Sequence, residues 1–259
     1  MLQIKDSEIR HISKQKLEAL EHWLRRLIDE VLTKAYGDDY FSYMDESGNR
    51  LIKKKLSDSI DERIRKEPNR YSRKVDAILL DDAIDIVCNP SLFNKHFKEP
   101  MSQAFPNGRE VTRTFMKRLT DPRNRLAHAN PISTRQFEQV VCYTGDIIES
   151  LKGYYSNRNM SEEYNVPLIL KVIDSFGSTY YREQFKSGPN GGIIIDLSGK
   201  IKCCSRPGDI LTLEVEIDPS FSEGEYKISW TIPNVRNPMP NGKKVMIEIT
   251  TVRLSICEP

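Results

Sequence analysis

SKQKLEALEHWLRRLIDEVLTKAYG, from Ser13 to Gly37, carries apolar residues at Leu17, Leu20, Leu24, Leu27, Ile28, Val31 and Leu32. Steps of three and four place them on one stripe of an α-helix. Ser13 is the expected N-cap and Gly37 the expected stop. A helix with a single apolar stripe needs other elements to cover it, so the rest of the chain must supply them.

Further helices follow in order. After the turn-rich loop GDDYFSYMDESGN, the stretch RLIKKKLSDSIDERIRKEP repeats the pattern with Leu51, Ile52, Leu56, Ile60 and Ile64, and Pro68 ends it. RKVDAILLDDAIDIVC adds Val75, Ile78, Leu79, Ala83, Ile86 and Val87, closed by Asn89-Pro90. The short segment SLFNKHFKEPMSQAF precedes a helix through GREVTRTFMKRLT. STRQFEQVVCYTGDIIESLKGYY reads as another helix, with Ser133 and Gln136 spaced as a capping box. Phe137, Val140, Val141, Ile147, Ile148 and Leu151 form its expected buried face. Short connections between amphipathic helices predict a bundle over 1–155. Residues 156–190 read as a helical connector, with YNVPLILKVIDSFGSTYYREQF as one more helix interrupted at Gly177, followed by the Gly/Pro-rich linker SGPNGG.

Beyond the linker the period drops to two. GIIIDLSGKIKCC, GDILTLEVEIDP, GEYKISWTIP and KKVMIEITTVRLSIC are β-branched and alternating. In the second of these, Leu211, Leu213, Val215 and Ile217 share one face, while Thr212, Glu214 and Glu216 share the other. Trp230 is expected in the core. Residues 191–259 therefore predict a small antiparallel β-sandwich of Ig-like type. The fold class is α+β, with an all-α bundle first and a β domain second.

Composition narrows the classes. The chain has 259 residues, 38% hydrophobic and 29% charged, with net charge +2 and mean hydropathy −0.53. No run approaches the ~18–20 apolar residues of a membrane span. The opening MLQIKDSEIRHISKQK has no apolar core of a secretory signal, so a cytoplasmic protein with reduced thiols is expected. The five cysteines (Cys88, Cys142, Cys203, Cys204 and Cys257) show no zinc-site spacing. Near-balanced charge gives no bulk attraction to nucleic acid, so such binding would need a local patch.

One cluster points to chemistry: TDPRNRLAHANPIS, Thr120 to Ser133. As local structure, Asp121 caps a short helix that starts at Pro122 and is stopped by Asn130-Pro131. His128 then serves as a helix-end residue or as a reactive one, and the spacing alone does not choose. Asn124 and His128 share a face. Arg123 and His128 diverge by roughly 140° on an ideal helix, so they meet only through an irregular helix end or a second chain.

Arg123, the polar Asn124 beside it, and His128 resemble the signature of the HEPN superfamily (higher eukaryotes and prokaryotes nucleotide-binding domain): Arg, a polar residue, three further residues, then His. The likeness takes in the long first helix, SLFNKHF…FP and the capped helix after the motif, roughly residues 10–155, and resembles RNA-cleaving members of prokaryotic defence and toxin systems. It implies a metal-independent endoribonuclease without cofactors, working as a homodimer with a composite cleft. It gives His128 proton transfer at the RNA 2′-OH or the leaving 5′-oxygen. Arg123 would bind the scissile phosphate, and Asn124 would position one of these groups. Arg118, Arg125 and Lys117 are the expected RNA-phosphate contacts. An antitoxin or other defence-complex protein is an implied partner; a membrane is not. The alternative is a non-catalytic HEPN dimerisation or binding scaffold. A DNA-binding regulator lacks a basic recognition helix.

Other groups read more plainly. Asp81, Asp82 and Asp85 suggest a solvated helix face before a Mg²⁺ site. His22 and His96 stand beside aromatics and read as packing or surface residues. Lys53, Lys54 and Lys55 form a small basic run.

Overall fold

The computed structural model describes residues 4–68, 70–187, 193–194, 208–230 and 242–248. The chain divides into two compact units, Met1–Val166 and Pro167–Pro259.

In the first unit, helix α1 (Asp6–Tyr36) begins seven residues before Ser13. Its start is satisfied by Glu8, whose carboxylate accepts the backbone N–H of Lys5 at 3.2 Å. Ser13, expected as the cap, instead lies buried on the helix with a hydroxyl that has no hydrogen-bond partner among the described residues. The periodic stripe continues upstream through Ile9, and that extra turn of burial carries the helix past Ser13. Gly37 does end it, at φ 84°, with its N–H on the Thr33 carbonyl.

The stripe is buried as its period demands. Leu20, Trp23, Leu24, Leu27, Ile28 and Leu32 are wholly inaccessible. Each contributes about 1.5–3 kcal/mol of apolar burial. Helix α1 lies against α3 (Leu80–Val87), α7 (Thr120–Ala127) and α8 (Thr134–Asn157). Trp23 meets Tyr155 of α8 with ring centroids 6.2 Å apart. On α8 the buried face is Val140, Thr144, Ile147, Ile148, Leu151 and Tyr155; Phe137 and Val141 are half-buried at its margin.

Helix α2 (Lys54–Lys66) starts after Leu51 and Ile52, not with them. Arg63 fastens it to the Ala77 carbonyl and the Asp82 carboxylate. The expected helix over 73–88 is split into a 3₁₀ turn, Lys74–Ala77, and α3. Asp82 makes the restart, accepting the Leu79 N–H at 3.0 Å. Helix α4 (Pro90–Leu92) runs through a π-helical turn, Phe93–Phe97, into α5 (Lys98–Met101). Ser150 of α8 donates to the Pro100 carbonyl at 2.7 Å. Helix α6 (Arg109–Lys117) then leads into α7, and α9 (Ser161–Tyr164) closes the unit.

The second unit contains a four-stranded antiparallel sheet. Its strands are β1 (Ile169–Asp174), β2 (Thr179–Tyr181), β5 (Ile210–Ile217) and β6 (Lys244–Glu248), in the order β2-β1-β5-β6. A separate pair joins β3 (Lys186–Ser187) and β4 (Ile193–Ile194). Val172 faces Tyr180 on one side and Val215 on the other, and Leu213 faces Val245.

The helix expected within the connector is therefore corrected: past Tyr164 the chain forms a hairpin. Asp174 is buried and makes its turn, accepting N–H groups of Phe176 and Ser178 at 2.9 Å and the Tyr180 hydroxyl at 2.9 Å. Gly177, at φ 83°, is the turn residue, not a helix break. Trp230 is half-buried, not core, with its indole N–H on the Gly242 carbonyl at 2.8 Å. Within GEYKISWTIP, residues 226–230 form no strand among the described residues, although the Ile228 carbonyl accepts the Gly242 N–H at 3.3 Å. Most of GIIIDLSGKIKCC and the end of KKVMIEITTVRLSIC lie outside the described residues.

Candidate functional site

Helix α7 carries the motif. It starts at Thr120, with Leu119 as N-cap, so Pro122 occupies the third position. Its missing N–H costs nothing in the first turn. Asp121 is not the cap; its carboxylate accepts from Gln136 Nε2 at 2.6 Å and ties the start of α7 to the start of α8. Ser133 and Gln136 do form the expected reciprocal cap.

The helix ends at Ala127, with His128 as C-cap at φ −96° and ψ 19°. Ala129 turns left-handed at φ 58°. Its N–H reaches the Leu126 carbonyl at 3.1 Å, and the Asn130 N–H reaches that of Arg125 at 2.8 Å. This pair of bonds is a Schellman closure. Arg125 secures the exit through Nε on the Pro131 carbonyl at 2.8 Å. His128 thus leaves the regular helix where the chain turns.

Arg123 is the anchored member. Its Nε donates to Glu21 Oε1 at 3.0 Å. Glu21 Oε2 accepts from Arg25 at 3.2 Å, and Arg25 Nε donates to the Ile78 carbonyl at 2.8 Å. The side chains of Arg25, Glu21 and Arg123 are only 11%, 13% and 22% exposed. An Arg123 terminal nitrogen lies 3.4 Å from Asn124 Oδ1. Asn124, Arg125 and His128 are exposed. Arg123 is therefore held through one edge of its guanidinium, with exposed polar groups of the motif beside it on the same short helix.

The flanking cations are engaged elsewhere. Lys117 pairs with Asp81 at 3.2 Å and Asp85 at 3.8 Å. Arg118 lies 5.1 Å over the Phe115 ring and donates to the Tyr143 hydroxyl at 3.2 Å. The acidic triplet is likewise committed. Asp85 also meets Arg113, and Asp82 is buried against Arg63 rather than solvated. No three His, Cys, Asp or Glu side chains converge to hold a metal ion among the described residues.

His96 is half-buried, with Nε2 2.9 Å from the Tyr36 hydroxyl. Burial, and then the charge of Lys95, lowers its pKa from the ordinary value. Cys88 is buried and its thiol is pushed up to about 11 by desolvation; Cys142 is exposed. Cys203, Cys204 and Cys257 lie outside the described residues. No helix among the described residues is long and apolar enough to cross a membrane.

Glu21 and Arg25 were not among the expected site residues. A signal for Glu21 was present: it sits four residues after Leu17 and three before Leu24, on the stripe that is otherwise apolar. A carboxylate in such a position needs a buried partner. Comparison with family models, with curated proteins and with solved structures finds no match to this chain.

Proposed function

We propose that the chain is a metal-independent endoribonuclease of HEPN type, acting as a homodimer in which Arg123, Asn124 and His128 of two copies form one cleft. The observation that carries this reading is the contrast within the motif: Arg123 is clamped by Glu21, while Asn124 and His128 stand exposed at the end of α7. A clamped guanidinium is pre-oriented for a phosphate. An exposed imidazole is accessible to a substrate for proton transfer.

In the reaction, the imidazole of His128 takes the proton of the RNA 2′-OH. The 2′-oxygen attacks phosphorus, the P–O5′ bond breaks, and the leaving 5′-oxygen receives a proton from the partner's imidazole. The products are a 2′,3′-cyclic phosphate and a 5′-hydroxyl. Arg123 stabilises charge on the phosphorane oxygens, and Asn124 orients the phosphate. Arg125 is the exposed cation nearest in sequence for a flanking phosphate; Lys117 and Arg118 would have to leave their present partners. The role fits a toxin or effector of antiphage defence, with the β unit, taken as Ig-like, serving regulation or partner binding.

The test is incubation of the full chain with total RNA in EDTA. Cleavage is expected, with a loss of about 10²-fold or more in His128→Ala and Arg123→Ala. Cleavage surviving both substitutions overturns the assignment, and sedimentation showing monomer alone removes the composite cleft. A second reading, a non-catalytic scaffold, is favoured by the Glu21–Arg123 pair itself, because it gives Arg123 a structural task. In that case expression is harmless with or without His128, and a stable partner protein co-purifies.

A further inference from the structure

At the other end of α8 from the motif lies a cleft of about 450 Å³. Tyr154 borders it, and 21 residues of helix separate Tyr154 from Ser133, about 30 Å at helical rise. The cleft is bounded by the second half of α1, the π-helical turn and the last turns of α8. Its charged lining is uneven: Lys34, Lys95, Lys98 and Arg158 against Glu30 and Glu99.

Arg158 and Glu99 satisfy each other, through Nε at 3.2 Å and Nη2 at 2.5 Å. Lys34, Lys95 and Lys98 are exposed and form no ion pair within 4 Å among the described residues. Three like charges around one concavity raise the local potential and favour an anion. The backbone helps to assemble them. Phe93 and Phe97 are buried and fix the π turn to the core, which leaves Lys95 and His96 at the cleft. π turns recur at functional sites.

Glu30 supplies a second, opposite requirement. Its Oε2 is buried without a hydrogen-bond partner among the described residues. A buried oxygen left without a donor is destabilising. Burial raises the carboxyl pKa against the lowering influence of Lys34 and Arg158. The cleft thus presents ammonium groups for an anion and, beside them, the carboxylate of Glu30. Its size is in the range of small-molecule sites.

We propose that this cleft binds a small phosphorylated metabolite: its phosphate lies among Lys34, Lys95 and Lys98, and a neighbouring hydroxyl or amino group donates to Glu30. The site is separate from Arg123 and His128 and does not depend on the RNA-cleaving reading.

Calorimetry on the full chain tests it with five probes: inorganic phosphate, glucose 6-phosphate, adenosine 5′-monophosphate, glucose and adenosine. At least one organic phosphate is expected to bind with Kd of about 1 mM or tighter, and the two unphosphorylated probes are expected not to bind. Preference for glucose 6-phosphate or for the nucleotide identifies the source of the phosphate. The Lys34→Ala, Lys95→Ala double variant should weaken binding about tenfold or more. Glu30→Gln should weaken the organic phosphate while leaving inorganic phosphate within about twofold. A Lys53→Ala, Lys55→Ala variant, on the basic run elsewhere, should bind normally. If the first double variant fails to fold by circular dichroism, Lys98→Ala carries the same test. The proposal is overturned if no phosphorylated probe binds at about 5 mM. It is also overturned if lysine removal leaves affinity unchanged, or if an RNA oligonucleotide binds these lysines and no small phosphate does.

Discussion

Glu21 decides how Arg123 is used. Its two oxygens serve two arginines from different elements, and both side chains are largely buried, Arg25 more than Arg123. Removing one partner of a buried pair leaves the others charged and unmatched. Glu21→Ala is therefore expected to lower stability by about 3 kcal/mol in urea denaturation, with Glu21→Gln intermediate because an amide oxygen can still accept. A loss below about 0.5 kcal/mol would mean that water replaces the carboxylate, and that Arg123 is not held by it. On the proposed function, the same variants test whether anchoring matters: RNA cleavage should fall while His128 is untouched.

At the scale of the element, α7 is a short helix made definite by its ends. The Asp121–Gln136 contact fixes its start against α8, and the Schellman closure fixes its finish. That closure places Ala129, which has a Cβ, at φ 58°. The left-handed region costs an L-residue about 1 kcal/mol relative to glycine. Ala129→Gly should raise the unfolding free energy by about that amount, measured by chemical denaturation, without moving His128 off the C-cap. A destabilised variant would show that the Ala129 methyl group makes a contact outweighing the backbone term. Part of this element was legible from its letters: Pro131 lies beyond its end and the helix stops at His128. The start was not, because Asp121 found a side-chain partner on another helix in place of the backbone.

For the whole molecule, the first unit has its own core around Leu20, Trp23, Leu24, Leu27 and Ile28, and the contacts that bury these side chains come from α3, α7 and α8 of the same unit. A chain ending after Val166 is expected to fold, keeping its helical circular dichroism and a single cooperative thermal transition. A fragment without a cooperative transition would show that the first unit needs the β unit to complete its core.

The sequence by itself determined where the helical half stands, because a stripe repeating at three and four residues can be buried only on helices. It also determined local chemistry such as the stop at Gly37 and the Ser133–Gln136 cap, in which the groups that meet are neighbours in the chain. Tertiary structure decided the rest. PLILKVID is an apolar run that suits a helix or a strand equally. It becomes β1 because β5, some forty residues later, offers its backbone groups and Val215 to pair with Val172. Likewise, Glu21 meets Arg25 within its own helix, but its second partner, Arg123, is 102 residues away in sequence. No local pattern names such a partner, because what selects it is the requirement that a buried charge be matched, and only the packed bundle shows which arginine is within reach.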